Sequence, residues 1–135
     1  MKRLHFLPSL GAFRLSAIRV SGSSMAPTYN DGDWLLFRNI SLPDTGTNVA
    51  AKAARLIGKV ILIQRNSAIG SDFLQVKRAT HIQIHDGESA LGIWVEGDNK
   101  IHSTDSRTWG PITSSEVRGV LLFRYRKGVA QPTGL

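Results

Sequence analysis

Short apolar runs, each bounded by glycine, serine, asparagine or aspartate, recur along most of this 135-residue chain. Runs of this length that are rich in β-branched and aromatic residues predict the strands of an antiparallel sheet. The segment 49–57 differs, because its alanines, an N-cap at Thr47 or Asn48 and a stop at Gly58 together predict a helix. We leave open a shorter turn of helix over 24–29. The predicted strands are 17–20, 34–38, 59–65, 73–78, 80–85, 92–96 and 118–126.

These elements predict a mostly β fold: a single compact antiparallel barrel-like domain with one or two short helices. Its 41% hydrophobic and 20% charged residues are typical of one globular domain. We divide the chain into an N-terminal segment (1–16), a main domain (17–127) and a flexible tail (128–135). The apolar part of the N-terminal segment is too short to cross a bilayer, so we expect no transmembrane helix. Contact of this segment with a membrane surface stays open.

The net charge of +7 comes from 17 basic and 10 acidic residues. The basic excess is scattered towards both ends, which favours a solvated surface, and we expect no nucleic-acid partner. The absence of cysteine excludes disulfides, thiolate metal sites and a cysteine nucleophile. His81 and His85 alternate with isoleucine in a predicted strand, so we expect no metal site there.

Ser24 and Lys77 are the candidate catalytic residues. Ser24 lies in the block Val20-Ser-Gly-Ser-Ser-Met-Ala-Pro-Thr28, and Lys77 ends the apolar run Leu74-Gln-Val-Lys-Arg78. A neutral lysine amine can take the proton of a serine hydroxyl, provided that desolvation or a neighbouring cation lowers the pKa of the lysine. The Ser24 backbone N–H could then stabilise an oxyanion, and Met25 could line a substrate cleft.

A third block makes this pairing more specific. Gly97-Asp-Asn-Lys-Ile-His-Ser-Thr-Asp-Ser-Arg-Thr-Trp-Gly110 follows the predicted strand 92–96. Taken in order with the serine block and the Lys77-Arg78 pair, it resembles the signal peptidase I family of Ser/Lys endopeptidases. Three ordered motifs that span most of the chain form a far more specific pattern than any one of them.

The resemblance implies a role for each matching residue. Ser24 corresponds to the acylating nucleophile, Lys77 to the general base, and Ser103 to the serine that orients the lysine amine. The remaining matches are charged residues that support the block by ion pairing, with Arg78 as the expected partner of the other three: Asp98, Asp105 and Arg107.

Two departures refine these expectations. Many members have a serine two positions before the nucleophile, whereas this chain has Gly22, so we expect the oxyanion hole to depend on the Ser24 N–H. The family's usual N-terminal membrane anchor is also missing from this sequence. We therefore expect a small unanchored member, of the type that matures nickel superoxide dismutase as one option, in the cytoplasm or peripherally associated with a membrane.

The sequence thus predicts a serine endopeptidase that removes a leader or signal segment from a protein precursor through an acyl-enzyme, with no cofactor and no metal. Two alternatives stay open. One is a protease like the self-cleaving repressors, which also use serine and lysine but usually carry a DNA-binding helix-turn-helix for which residues 1–19 are too few. The other is a catalytically idle module of the same fold that binds an extended peptide.

Overall fold

The fold was analysed in a computed structural model that describes residues 5–6, 14–44, 48–66, 72–84 and 91–129. Within these ranges, two short α-helices and two 3-10 turns, Lys100–His102 and Ser114–Glu116, accompany eight strands. In chain order the strands and helices are β1 (His5–Phe6), β2 (Leu15–Arg19), β3 (Trp34–Asn39), α1 (Val49–Ala54), β4 (Val60–Asn66), β5 (Asp72–Ile84), β6 (Leu91–Glu96), α2 (Ser106–Trp109), β7 (Ile112–Thr113) and β8 (Val117–Arg126).

The strands form one antiparallel sheet in the order β1-β2-β3-β8-β4-β5-β6-β7. The predicted mostly β domain with one or two short helices is confirmed, although the described strands make an open sheet, with β1 and β7 at its ends, and not a closed barrel. None of the helices in the described ranges has the length and apolar character that crossing a bilayer requires.

One strand boundary was predicted wrongly. The segments 73–78 and 80–85 belong to a single long strand, β5, whose pairing with β6 shifts register between Ala79 and His81. A bulge inserts an extra residue without ending the ladder, so the break predicted at Ala79 does not occur. His85, one of the two histidines considered for a metal site, lies outside the described residues.

Both faces of the central strand β4 are buried, and its residues alternate between two hydrophobic clusters. Ile61 and Ile63 pack in a cluster with α1 and the inner residues of β6, whereas Val60 and Leu62 pack with residues of β2 and β3. This alternation follows from the two-residue period of a strand. The central strands therefore form a rigid support for the side chains that β5 and the end of β6 present.

The predicted tail begins with an ordered contact. The N–H of Gly128 donates a 2.7 Å hydrogen bond to Oδ1 of Asp33, which is 3% exposed. Asp33 also accepts from the N–H of Asn30 and from Arg124, so it ties the segment before β3 to the end of β8. Burial by itself raises the pKa of Asp33, but these hydrogen bonds outweigh it and hold the pKa below its ordinary value. Residues 130–135 of the predicted tail lie outside the described ranges.

Candidate active site

Lys77 is a buried lysine near the middle of β5. Its residue is only 4% exposed, and Nζ donates a 3.0 Å hydrogen bond to Oγ of Ser103. Ser103 follows the 3-10 turn Lys100–His102 in extended conformation. Lysine is seldom buried to this extent in a soluble domain unless its amine has polar partners. The structure therefore brings together two of the residues that the sequence analysis placed in one site.

The hydroxyl of Ser103 connects Lys77 to a buried carboxylate. Ser103 donates a 2.7 Å hydrogen bond to Oδ2 of Asp105, whose residue is 0% exposed. A hydroxyl has a single proton to donate, and that proton is directed at Asp105. Ser103 can therefore only accept from Lys77, which fixes the direction of the interaction between them.

Asp105 is held as an anion by several donors. Its carboxylate accepts hydrogen bonds from the Gly97 N–H at 2.9 Å, from Ser103, and from the guanidinium of Arg107 at 2.9 and 3.1 Å. It also caps α2 by accepting from the Arg107 N–H. Burial alone raises the pKa of Asp105, but the hydrogen bonds outweigh this effect and hold the pKa far below its ordinary value.

Arg78 pairs with Asp98, whereas Asp105 pairs with Arg107. This corrects the expectation that Arg78 would be the partner of all three residues. Its Nε and Nη2 atoms bind the two carboxylate oxygens of Asp98 at 2.9 and 2.8 Å, and Nη1 donates to the Gly58 carbonyl at 2.8 Å. The hydrogen bonds from Arg78 lower the pKa of Asp98, although partial burial opposes them. The charged residues thus form two separate pairs, because Asp105 has its own arginine.

Ser24 lies in a compact turn between β2 and β3. The turn is closed at its base by hydrogen bonds between Val20 and the segment 32–33, and the Gly22 N–H donates to the Asp31 carboxylate at 2.8 Å. Gly22 has a φ of 91°, a conformation that L side chains rarely adopt, so a serine at this position would be strained. The Tyr29 N–H donates to the Met25 carbonyl, which closes one helical turn over the predicted segment.

Met25 anchors this turn in the core. Its residue is 1% exposed, and it packs among core residues of β2, β3, β4 and β5. Its Sδ atom also lies 3.5 Å from the backbone N of Asp98. The structure thus places Met25 under the Ser24 turn as a core residue, and its role in a substrate cleft stays a prediction.

The segment after β6, residues 97–99, joins the Ser24 turn to Ser103. The Asn99 N–H donates to the Ser24 carbonyl at 2.8 Å, and Asn99 Nδ2 donates to the Ser23 carbonyl at 3.0 Å. A Cβ atom placed on Gly97 would lie 2.6 Å from the Ser24 carbonyl oxygen and closer still to Ser103 Oγ. Gly97 is therefore the point where the backbone of Ser24 and the hydroxyl of Ser103 approach each other.

Sequence reasoning did not assign roles to Gly97 and Asn99, although both stand in the quoted block 97–110. The sequence did contain a signal for them: a glycine and an asparagine directly follow a buried strand, and a glycine at such a position often marks a close backbone approach.

Outside this site, His81 stacks on Trp94 with ring centroids 5.3 Å apart. In the part of the chain that the structure describes, no three histidine, aspartate or glutamate side chains form a group that could hold a metal ion.

Comparisons with known proteins match this chain to peptidases. A family model described as "Signal peptidase, peptidase S26" matches residues 64–126, a range that contains Lys77 and Ser103. The chain is 29% identical to human mitochondrial inner membrane protease subunit 1, with 79% of this chain and 67% of that protein aligned. The same subunit of Xenopus tropicalis is 31% identical (77% and 65% aligned), and subunit 2 of Saccharomyces cerevisiae is 29% identical (75% and 62% aligned). The chain spans about two thirds of the length of these relatives.

Proposed function

This chain belongs to the signal peptidase family, peptidase S26, and we propose that it is a serine endopeptidase that removes a leader segment from a protein precursor. In this proposal Ser24 is the nucleophile, Lys77 is the general base and Ser103 orients the base. No cofactor takes part in it. The proposal rests on the buried amine of Lys77, which donates a hydrogen bond to Ser103, while Ser103 donates its own proton to Asp105.

The direction of these hydrogen bonds suits a lysine that acts as a base. A neutral amine has two N–H donors and one lone pair, and only the lone pair can take a proton. Because Ser103 accepts from Lys77, it occupies an N–H and leaves the lone pair to point elsewhere. Burial favours the neutral form of an amine over the ammonium, which the reaction requires. The arrangement therefore supports proton transfer from Ser24 to Lys77.

The first half of the reaction forms an acyl-enzyme. The Ser24 Oγ attacks the scissile carbonyl carbon while its proton moves to the Lys77 Nζ, and the carbonyl π electrons move onto oxygen. The tetrahedral oxyanion is stabilised by the Ser24 N–H. When the oxyanion collapses, the C–N bond breaks, Lys77 returns its proton to the leaving amine, and the new chain begins with that amine.

The second half restores the enzyme. A water molecule attacks the ester carbonyl and gives a proton to Lys77, which is neutral again after the first half. Collapse of the second oxyanion breaks the bond to Ser24 Oγ, and the proton passes from Lys77 to that oxygen. The leader leaves as a carboxylic acid, so the net reaction consumes one water molecule for each peptide bond.

The substrate and the location are proposed more coarsely. The relatives are named as subunits of a protease of the mitochondrial inner membrane, which supports a precursor substrate and action beside a membrane. We propose small residues just before the cut and peripheral association with a membrane surface. The more specific assignment to nickel superoxide dismutase maturation stays a prediction, as does the division of the chain at residues 16 and 127.

Substitution of Ser24 and of Lys77 tests the proposal. The substrate is a fluorogenic peptide with alanine at the first and third positions before the scissile bond, a pattern typical of signal-segment cleavage sites. Ser24→Ala and Lys77→Met should each lower kcat by about a thousandfold or more, because nucleophile and base act as a unit. Full activity in either variant would disprove the pair.

Matched controls separate chemistry from folding. Ser21→Ala changes an exposed serine of the same turn, and Lys59→Met changes an exposed lysine just before β4. Both should cleave the peptide at the wild-type rate. All four variants should keep the wild-type far-UV circular dichroism spectrum. If the wild-type protein binds the peptide without cleaving it, the chain is a peptide-binding module and not a peptidase.

A further inference from the structure

The peptide unit that links Ser23 to Ser24 is held at its carbonyl end by two donors. The Ser23 carbonyl accepts from the Ala26 N–H at 3.1 Å and from Asn99 Nδ2 at 3.0 Å. The Ala26 bond is local and closes the turn. The Asn99 bond comes from the segment after β6, so it fixes the turn relative to the rest of the site.

The carbonyl of Ser23 and the N–H of Ser24 belong to the same planar unit. In a trans peptide they point in opposite directions, so holding the carbonyl also fixes the direction of the N–H. Within the described ranges, no hydrogen bond engages the Ser24 N–H. Two bonds accepted by the carbonyl also polarise the peptide unit and make its N–H a stronger donor.

Asn99 holds the peptide unit on the other side of Ser24 as well. Its backbone N–H donates to the Ser24 carbonyl at 2.8 Å. The two peptide units that flank the Ser24 Cα are thus both bound to one residue, and their relative orientation is what the φ and ψ angles of Ser24 describe. A single asparagine therefore constrains the direction of both the Ser24 N–H and the Ser24 side chain.

We propose that Asn99 is a positioning residue that sets the oxyanion hole by aiming the Ser24 N–H through the side-chain hydrogen bond to the Ser23 carbonyl. This inference rests on the proposed peptidase function. Its consequence is that the Asn99 side chain contributes to the transition state and not to the binding of the substrate in its ground state, because the oxyanion exists only during the reaction.

Three variants of Asn99 and one control test the proposal with the same fluorogenic peptide. Asn99→Ala removes the side-chain donor but keeps the backbone N–H, and Asn99→Asp keeps the shape while placing a carboxylate against the carbonyl. Asn99→Gln retains an amide donor on a longer side chain. The control is Asn30→Ala, because Asn30 Nδ2 donates to the Pro27 carbonyl of the same turn, away from the Ser24 peptide unit.

We expect Asn99→Ala to lower kcat by about ten- to a hundredfold with little change in KM, somewhat less than the loss of an oxyanion donor itself. Asn99→Asp should lose at least as much, and Asn99→Gln should recover part of the activity. Asn30→Ala should have the wild-type kcat. All four proteins should unfold within a few degrees of the wild-type Tm.

A transition-state analogue distinguishes positioning from a merely structural role. A peptide aldehyde forms a tetrahedral adduct with Ser24 that carries the oxyanion, so its inhibition constant should rise in Asn99→Ala by the same factor as kcat/KM falls. A change in kcat without a parallel change in this constant would overturn the proposal, as would a kcat within threefold of wild type. The peptidase function would survive either result, whereas a wild-type protein that leaves the peptide intact would remove the peptidase function itself.

Discussion

The Nζ atom of Lys77 lies 3.0 Å from Oγ of Ser103, and the serine is the acceptor. This polarity exists because Ser103 donates its own proton to Asp105 at 2.7 Å. A serine without that carboxylate could equally donate to the lysine amine and occupy its lone pair. The Asp105 carboxylate therefore acts through Ser103 to keep the Nζ lone pair of Lys77 from being occupied by the Ser103 hydroxyl proton.

Ser103→Ala should reduce kcat by about ten- to a hundredfold, since an unoriented general base loses part of its catalytic contribution. KM should change little, because the hydroxyl faces Lys77 and Asp105. The measurement is steady-state kinetics with the fluorogenic peptide. Ser106→Ala is the matched control: Ser106 is a buried serine of the same block and accepts from the Val95 N–H at 2.8 Å, so its loss should lower the Tm and leave kcat intact. If Ser103→Ala fails to fold while Ser106→Ala folds, Ser103 is structural and not orienting.

The fold was largely predictable because apolar periodicity sets which segments pair. The alternating residues of β4 pack in two clusters, as a central strand requires, and the helix 49–57 was found over Val49–Ala54. One error in strand definition came from the bulge in β5, where the pairing with β6 shifts register between Ala79 and His81. The two-residue strands β1 and β7 were also missed. A bulge depends on the partner strand, and the residues of one segment do not reveal it.

The partners of the charged residues could not be predicted in the same way. Arg78 stands opposite Glu96 in the β5–β6 register, so the chain that leaves β6 brings Asp98 to its guanidinium. Asp105 instead begins α2 and finds its arginine two residues later. Both acids follow Arg78 in one short block, and only the register and the helix start distinguish them.

Gly97→Ala should damage activity more than stability. The new Cβ would meet the Ser24 carbonyl oxygen at 2.6 Å and Ser103 Oγ more closely, so the turn and the serine must move apart. Overpacking of this kind costs about 1–3 kcal/mol of unfolding free energy. Because the displaced groups belong to the site, we expect kcat/KM to fall by about a hundredfold or more. The two measurements are urea unfolding and peptide cleavage.

Gly92→Ala provides the comparison for this prediction. Gly92 lies on β6, the strand that ends just before Gly97, and a Cβ on Gly92 would lie 2.8 Å from Pro111 Cβ, in a residue outside the catalytic machinery. It should lose a similar unfolding free energy and keep kcat/KM within about threefold of wild type at a temperature where it is folded. Equal losses of activity in the two alanine variants would contradict the special position of Gly97.

The stability of the protein should decline in acid, and Asp105 should account for a large share of the decline. Its pKa is lower in the folded state than its ordinary value of 3.8, so the unfolded state binds a proton first as the pH falls. The contribution is complete above that ordinary value and is lost as the pH falls below it towards the folded-state pKa. Asp98 and Asp33 shift in the same direction.

Asp105→Asn tests this prediction by urea unfolding between about pH 7 and about pH 3, where the linkage between protonation and folding is measured. At neutral pH the variant should lose about 2–4 kcal/mol, because the buried site keeps its donors but loses the charge that they bind. Below the ordinary carboxyl pKa its unfolding free energy should fall less steeply than that of the wild type. Asp98→Asn neutralises a less buried carboxylate that is paired with Arg78, so it should flatten the curve less. A slope for Asp105→Asn that matches the wild type would show that Asp105 does not carry the acid sensitivity.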